Sequence, residues 1–195
     1  MEIFNAGLLF AGDAPSGGKQ KNIDAIVLHH RAGNGTVESI HAQHLKQGWW
    51  GIGYHYYVTK HGIIWCGRPE EFVGSHAGAK NGYNNHSIGV CFEGNFETDT
   101  MLPAQLNAGR KLIADIKKRY AIKEILQHKD IAATACAGKN FPFAEMVAEP
   151  VPDAKQWAIE NGIFLGNGNG DYMWDKPLTR EQAAVVLQRL WNILK

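Results

Sequence analysis

Apolar positions fall into short runs separated by polar, glycine-containing stretches, and their spacing assigns most of the chain. Asp24-Ala-Ile-Val-Leu-His29-His30 is short and rich in branched residues, with Gly33-Asn34-Gly35 close behind, which predicts a buried strand. Thr36 then stands where it can cap a helix running to about Gln47, with Val37, Ile40, His44 and Leu45 at helical spacing. Tyr54–Thr59 and Ile63–Gly67 are aromatic and β-branched runs joined by Lys60-His61-Gly62, the pattern of a hairpin. Ser87–Phe92 reads as another strand. Pro103 opens a second helix whose Leu106, Gly109, Ile113, Ile116 and Tyr120 share a face. Ile122 to His128 reads as a last strand. Strands alternating with helices predict an α/β fold, a mixed central β-sheet flanked by helices.

Beyond residue 147 the pattern changes. Pro150 and Pro152 disfavour helix and predict a stiff linker at 148–152 between a first domain, 1–147, and a small helical module, 153–195. In the module, Asp153 can cap Ala154–Asn161, with Gly162 as the residue that ends it. Gly166-Asn-Gly-Asn-Gly-Asp171 forms a turn, and Thr179-Arg-Glu-Gln182 has capping-box spacing before the apolar run Ala183–Leu194. The glycine-rich turn lacks the Gly-Lys-Ser/Thr and the preceding strand of a phosphate-binding loop.

Composition narrows the function. With 195 residues, 45% hydrophobic and a net charge of +1, the chain can bury a core and lacks the basic excess of a nucleic-acid binder. No apolar run is long enough to span a membrane. The N-terminus lacks the basic and apolar regions of a secretion signal, so synthesis in the cytoplasm is expected. Three cysteines are too few for a disulfide framework. Nine histidines, all at or before position 128, raise the question of a metal. His29, His128 and Cys136 supply two imidazoles and a thiol, a zinc-type donor set; equally, a histidine at a strand end is ordinary polar edge filling.

Five segments taken in order resemble one family. Ile26-Val-Leu-His29-His30, Gly53-Tyr54-His55-Tyr56, Val73-Gly-Ser-His76-Ala77, Asn85-His86-Ser87-Ile88-Gly89-Val90 and His128 with Cys136 are similar to the type 2 N-acetylmuramoyl-L-alanine amidases, which include phage lysozyme-type amidases and peptidoglycan recognition proteins. The resemblance spans residues 23 to 147. It implies that His29, His128 and Cys136 hold one Zn²⁺ with the fourth position left to water, whose pKa the ion lowers to about 7 while polarising the scissile carbonyl. It further implies that Tyr54 and Thr134 donate to the developing oxyanion, and that His76 and Asn85 touch substrate. No glutamate general base is identifiable. Where the family often has Cys-Pro-Gly, this chain has Cys136-Ala137-Gly138, so the loop is expected to be kept and slightly less stiff.

The remaining histidines have plainer readings. His41 and His44, three apart on a helix, read as a solvated or half-buried face, and His55 as structural. His30, His61 and His86 read as structural or surface groups, Cys66 and Cys91 as small buried residues, and Trp49 and Trp50 as packing. The tail resembles a single S-layer-homology repeat, which implies attachment to a secondary cell-wall polymer, with Arg180 as the cation to watch, or assembly into a homo-oligomer. The expected activity is peptidoglycan hydrolysis at the N-acetylmuramic acid–L-alanine amide by an endolysin-like enzyme acting on the wall after release. A non-catalytic peptidoglycan-binding module and a zinc endopeptidase of the peptide stem are the alternatives.

Overall fold

The computed structural model describes residues 1–78, 80–148 and 154–194. The chain divides into two compact units, Met1–Glu149 and Pro150–Lys195. The expected linker, apart from Ala148, and the expected cap Asp153 lie outside the described residues.

The first unit is built on a six-stranded mixed sheet. In chain order the strands are β1 (Ile3–Asn5), β2 (Ala25–His30), β3 (Tyr56–Val58), β4 (Ile64–Cys66), β5 (Ser87–Phe92) and β6 (Glu124–Gln127), in spatial order β1-β4-β3-β5-β2-β6. The hairpin pair β3 and β4 is antiparallel and every other pair is parallel. β2 and β5 are buried along their whole length, as parallel strands covered on both faces must be. Strand alternation then separates two cores. Ile26, Leu28, Ile88, Val90 and Phe92 meet Leu112, Ile113 and Ile116 of helix α2 (Pro103–Arg119) and Met146 of α3 (Phe143–Val147). Tyr57 and Cys91 meet Val37 and Ile40 of α1 (Val37–Lys46) on the opposite face.

Local chemistry explains the element ends. Thr36 caps α1, its hydroxyl accepting from Ser39 N at 3.2 Å, and Pro103 occupies the first turn of α2. The buried face of α2 differs from the expected one: it is Gln105, Ala108, Gly109, Leu112, Ile113 and Ile116, with Leu106 and Tyr120 at its margin. The cause is polar. The Gln105 amide donates to Val58 O (3.0 Å) and Glu93 O (2.9 Å) and turns the helix toward the sheet. β3 starts two residues later than predicted, because the carbonyls of Tyr54 and His55 accept instead from Arg68 N and Gly67 N. β6 stops at Gln127, where the Asp130 carboxylate accepts from Gln127 N at 2.8 Å and starts a 3₁₀ turn, His128–Asp130. β1, which the pattern did not predict, pairs with β4.

The second unit holds α4 (Ala154–Glu160) and α5 (Arg180–Ile193). Gly162 takes φ +66° after α4, and Thr179 and Gln182 form the reciprocal capping box at the start of α5. Between the helices, Trp174 contacts Phe164 and Tyr172, and a groove of about 900 Å³ opens beside them. Among the described residues no helix is long and apolar enough to cross a membrane.

Candidate metal centre

In open α/β sheets, ligands bind outside the carboxyl ends of the parallel strands. Here β2 and β6 are parallel neighbours with Leu28 opposite Gln127, so His29 and His128 occupy the next level at their carboxyl ends. Within β2, alternation sends His29 to one face and His30 to the other, where the His30 Nδ1 accepts from Phe96 N at 3.1 Å. The chain after His128 folds back on itself. Ile131 N and Ala132 N donate to His128 O, Lys129 N donates to Cys136 O at 2.5 Å, and Cys136 N donates to the Thr134 hydroxyl at 3.3 Å. This return sets the Cys136 sulfur 3.7 Å from His29 Nδ1, where it accepts from His30 N at 3.3 Å. One donor atom from each of His29, His128 and Cys136 lies within 4.8 Å of the others.

That set fits zinc. A tetrahedral ion with ordinary Zn–N and Zn–S lengths separates a nitrogen from a sulfur ligand by about 3.6 Å. Burial holds His29 well below the usual imidazole range and lowers His128, so both are neutral and offer lone pairs. Burial pushes the Cys136 thiol up to about 11, so an arriving cation must displace its proton.

Around this centre the chain places its other polar groups with purpose. The Tyr54 ring lies 5.1 Å from the His29 ring, tilted by 57°, and burial raises its phenol well above the usual value, so it remains an O–H donor. Thr134 is exposed at the turn of the loop; its oxygen accepts from Cys136 N, which leaves its proton free to donate. Gly138 holds the far side of the loop at φ +106° against the Phe96–Glu97 backbone. The Cys136–Ala137 peptide is cis.

His76 is 6% exposed and turns its Nδ1 to His29 Nε2 at 3.0 Å. Asn85 is exposed on the 3₁₀ turn Tyr83–Asn85, and beside it the Asn84 Oδ1 accepts from His76 N and Ala77 N, both at 2.9 Å. Asn81 donates to Ala77 O and to Ile131 O, tying that loop to the one carrying Cys136. His41 and His44 are buried more deeply than the solvated or half-buried face expected of them. Their Nδ1 atoms accept from Ile52 N (3.2 Å) and Gly53 N (3.1 Å), fixing the segment that leads into Tyr54. Arg68, which the pattern did not single out, is 2% exposed and donates to Ile52 O, Val73 O and the Ser75 hydroxyl, stapling the Tyr54 and His76 segments. Trp50 packs on Phe10 and Phe72 as expected, whereas Trp49 is half exposed and borders a cavity of about 350 Å³. In the second unit Arg180 is exposed at the start of α5, and the groove beside the aromatic residues is lined by Lys176 and Arg189 together with Glu181.

Burial also holds His44 and His55 down at about 4. A folded pKa below the unfolded value of about 6.5 means the unfolded chain binds more protons, so stability falls as pH drops from 6.5 toward 4. Between pH 7.5 and pH 5 these two groups should remove about 2 kcal/mol each from the metal-free protein, measured by urea unfolding at the two pH values. Equal stability at both would show that neither ring is held neutral by the fold.

Comparison with known proteins places this arrangement. Residues 19–142 match the N-acetylmuramoyl-L-alanine amidase family. The endolysin of Klebsiella phage KP32 is 33% identical over 158 residues, covering 76% of this chain and 94% of the endolysin. The peptidoglycan-recognition protein SC2 of Drosophila melanogaster is 32% identical over 127 residues, 58% of this chain and 67% of that protein. Among solved structures, the N-acetylmuramoyl-L-alanine amidase LysC from Clostridium intestinale URNW superposes with a TM-score of 0.69 at 37% identity, covering 75% of this chain and 95% of that one.

Proposed function

The chain belongs to the N-acetylmuramoyl-L-alanine amidase family, and on that premise we propose that it is a zinc-dependent, endolysin-like enzyme cleaving the amide between N-acetylmuramic acid and L-alanine in bacterial peptidoglycan. The observation that carries the reading is the convergence of His29, His128 and Cys136 at the carboxyl ends of neighbouring parallel strands, inside the family-matched span. Bound there, zinc supplies a Lewis acid for the scissile carbonyl and acidifies water.

The chain's own groups do the rest. Tyr54, neutral and anchored by Gly53 and the stapled loop behind it, donates its hydroxyl proton toward the carbonyl oxygen as charge develops there. Thr134, in the loop that carries Cys136, donates its hydroxyl proton without adding charge. Burial of His29 and Cys136 keeps bulk water from the donor atoms. The second unit, which resembles a single S-layer-homology repeat, is read as a wall-attachment or self-association module. Its groove, lined by Tyr172 and Trp174 with the cations Lys176 and Arg189 against the acid Glu181, is read as suiting an anionic secondary polymer. The enzyme acts on the wall after release from the cell in which it is made.

Purified peptidoglycan incubated with the protein, with and without a chelator, tests the reading. New L-alanine amino termini, no new reducing sugar and loss of activity on chelation are expected. New amino termini on other stem residues would replace the amidase with an endopeptidase. Wall binding with no new termini would leave a recognition module.

A further inference from the structure

His76 has no role in the chemistry above, yet it is buried and closely packed. Its Nδ1 lies 3.0 Å from His29 Nε2, on the opposite side of the His29 ring from the Nδ1 that faces the Cys136 sulfur. The imidazole sits in a notch made by two glycines. A Cβ on Gly74 would stand 2.5 Å from the His76 Cδ2, and one on Gly89 would stand 2.5 Å from both Cγ and Cδ2. Gly89 is fixed in β5, and its own N–H donates to His55 Nδ1 at 2.9 Å. The His55 ring packs edge-on against His76 at 5.5 Å. From the other end, Asn84 holds the His76 backbone and Ser75 N donates to Gly53 O. The ring is therefore placed by backbone and glycine clearance, not by the group it meets.

We infer that His76 is a positioning residue for the metal centre: its Nδ1 accepts the Nε2–H of His29 and so fixes the ring plane and tautomer that aim the His29 Nδ1 at the ion. This rests on the zinc reading, because a metal on Nδ1 requires the proton on Nε2. A neutral imidazole that binds a metal through one nitrogen needs a fixed acceptor for the other, and loss of such an acceptor weakens metal affinity about 10–100-fold. In this chain the acceptor is a neutral histidine where a carboxylate is the common choice, so it orients the ligand without adding charge. The His76 Nε2, left as the protonated nitrogen, is buried with no hydrogen-bond partner among the described residues. An orphan donor of that kind is expensive, and retaining it is understandable if the acceptor on the other nitrogen is what the site requires.

Two variants separate orientation from packing. His76→Leu keeps the bulk and removes the acceptor; His76→Asn returns an oxygen close to where Nδ1 stood. Zinc affinity, read by competition with a chromophoric chelator, should fall about 10–100-fold in His76→Leu and recover most of that loss in His76→Asn. Both metal-free variants are assayed for thermal unfolding. Leucine affinity equal to the parent, or equal weakening in both variants with a matching loss of metal-free stability, overturns the inference. A measurement on the parent alone needs no variant to fold: ¹⁵N spectra of the histidine-labelled, zinc-loaded protein should report His76 protonated on Nε2 and bare on Nδ1. The opposite tautomer overturns it. A parent that takes up no zinc overturns the metal reading itself, and the positioning role falls with it.

Discussion

Cys136→Ser is expected to abolish metal binding and reduce amide hydrolysis at least about 10³-fold, because the Lewis-acid contribution it removes is several kcal/mol. The thiol is the one soft donor in the set, and a serine hydroxyl at this position neither ionises at neutral pH nor matches the Zn–S length. The fold should survive. The side chain lies at the rim of the core, 9% exposed, and serine can still accept from His30 N. The loop around it is held by backbone bonds that do not involve the sulfur, such as Lys129 N to Cys136 O and Gly138 N to Ala135 O. Metal content by atomic absorption, hydrolysis of purified walls and thermal unfolding of the metal-free form make the three measurements. Full activity in the variant would remove Cys136 from the centre, and an unfolded variant would make it a core residue instead.

Gly138→Ala should be nearly as damaging by a wholly mechanical route. At φ +106° a Cβ is strained whatever the space, and here it would meet the Phe96 carbonyl oxygen at 2.6 Å and Glu97 N at 2.8 Å. That peptide cannot retreat. Phe96 N is bound to His30, Phe96 O accepts from Asn140 N at 2.8 Å, and the Glu97 carboxylate accepts from Lys139 N at 2.9 Å. The loop must shift instead, carrying Cys136 with it. Strain of about 1–2 kcal/mol and overpacking of about 1–3 kcal/mol together predict a loss of about 2–5 kcal/mol in urea unfolding. Zinc affinity should fall with it, although no ligand has been changed. Parent-like stability and affinity would mean that the loop is not held against Phe96.

How much of this was legible beforehand depends on whether a feature is local. The cap at Thr36, the proline at the start of α2, the hairpin and the buried runs of β2 and β5 follow from neighbours in sequence, and the strand–helix order gave the sheet class. His29, His128 and Cys136 were recognisable as a donor set, but nothing in the spacing says that β2 and β6 are neighbours with Leu28 opposite Gln127; that is a property of strand order. The same limit explains the failures. Arg68 and Asn84 act through carbonyls and amides brought close by tertiary folding, and an arginine followed by Pro69 carries no mark of burial. His41 and His44 read as a solvated or half-buried face because their partners, Ile52 N and Gly53 N, lie in another segment. The motif names His76, but only the glycine notch shows that its ring turns toward His29. β1, at three residues, is shorter than any reliable apolar pattern.

β6 has four residues and a neighbour on one side only, because it closes the sheet at β2. Border strands are the first to fray, and native-state opening is cheapest where backbone bonds face solvent. His128 follows this strand directly and Cys136 hangs from the turn beyond it, while His29 stays rooted in the interior. Two of the three donors therefore follow the border strand in one continuous segment, and an ion held by all three would rivet the sheet's open margin to its middle.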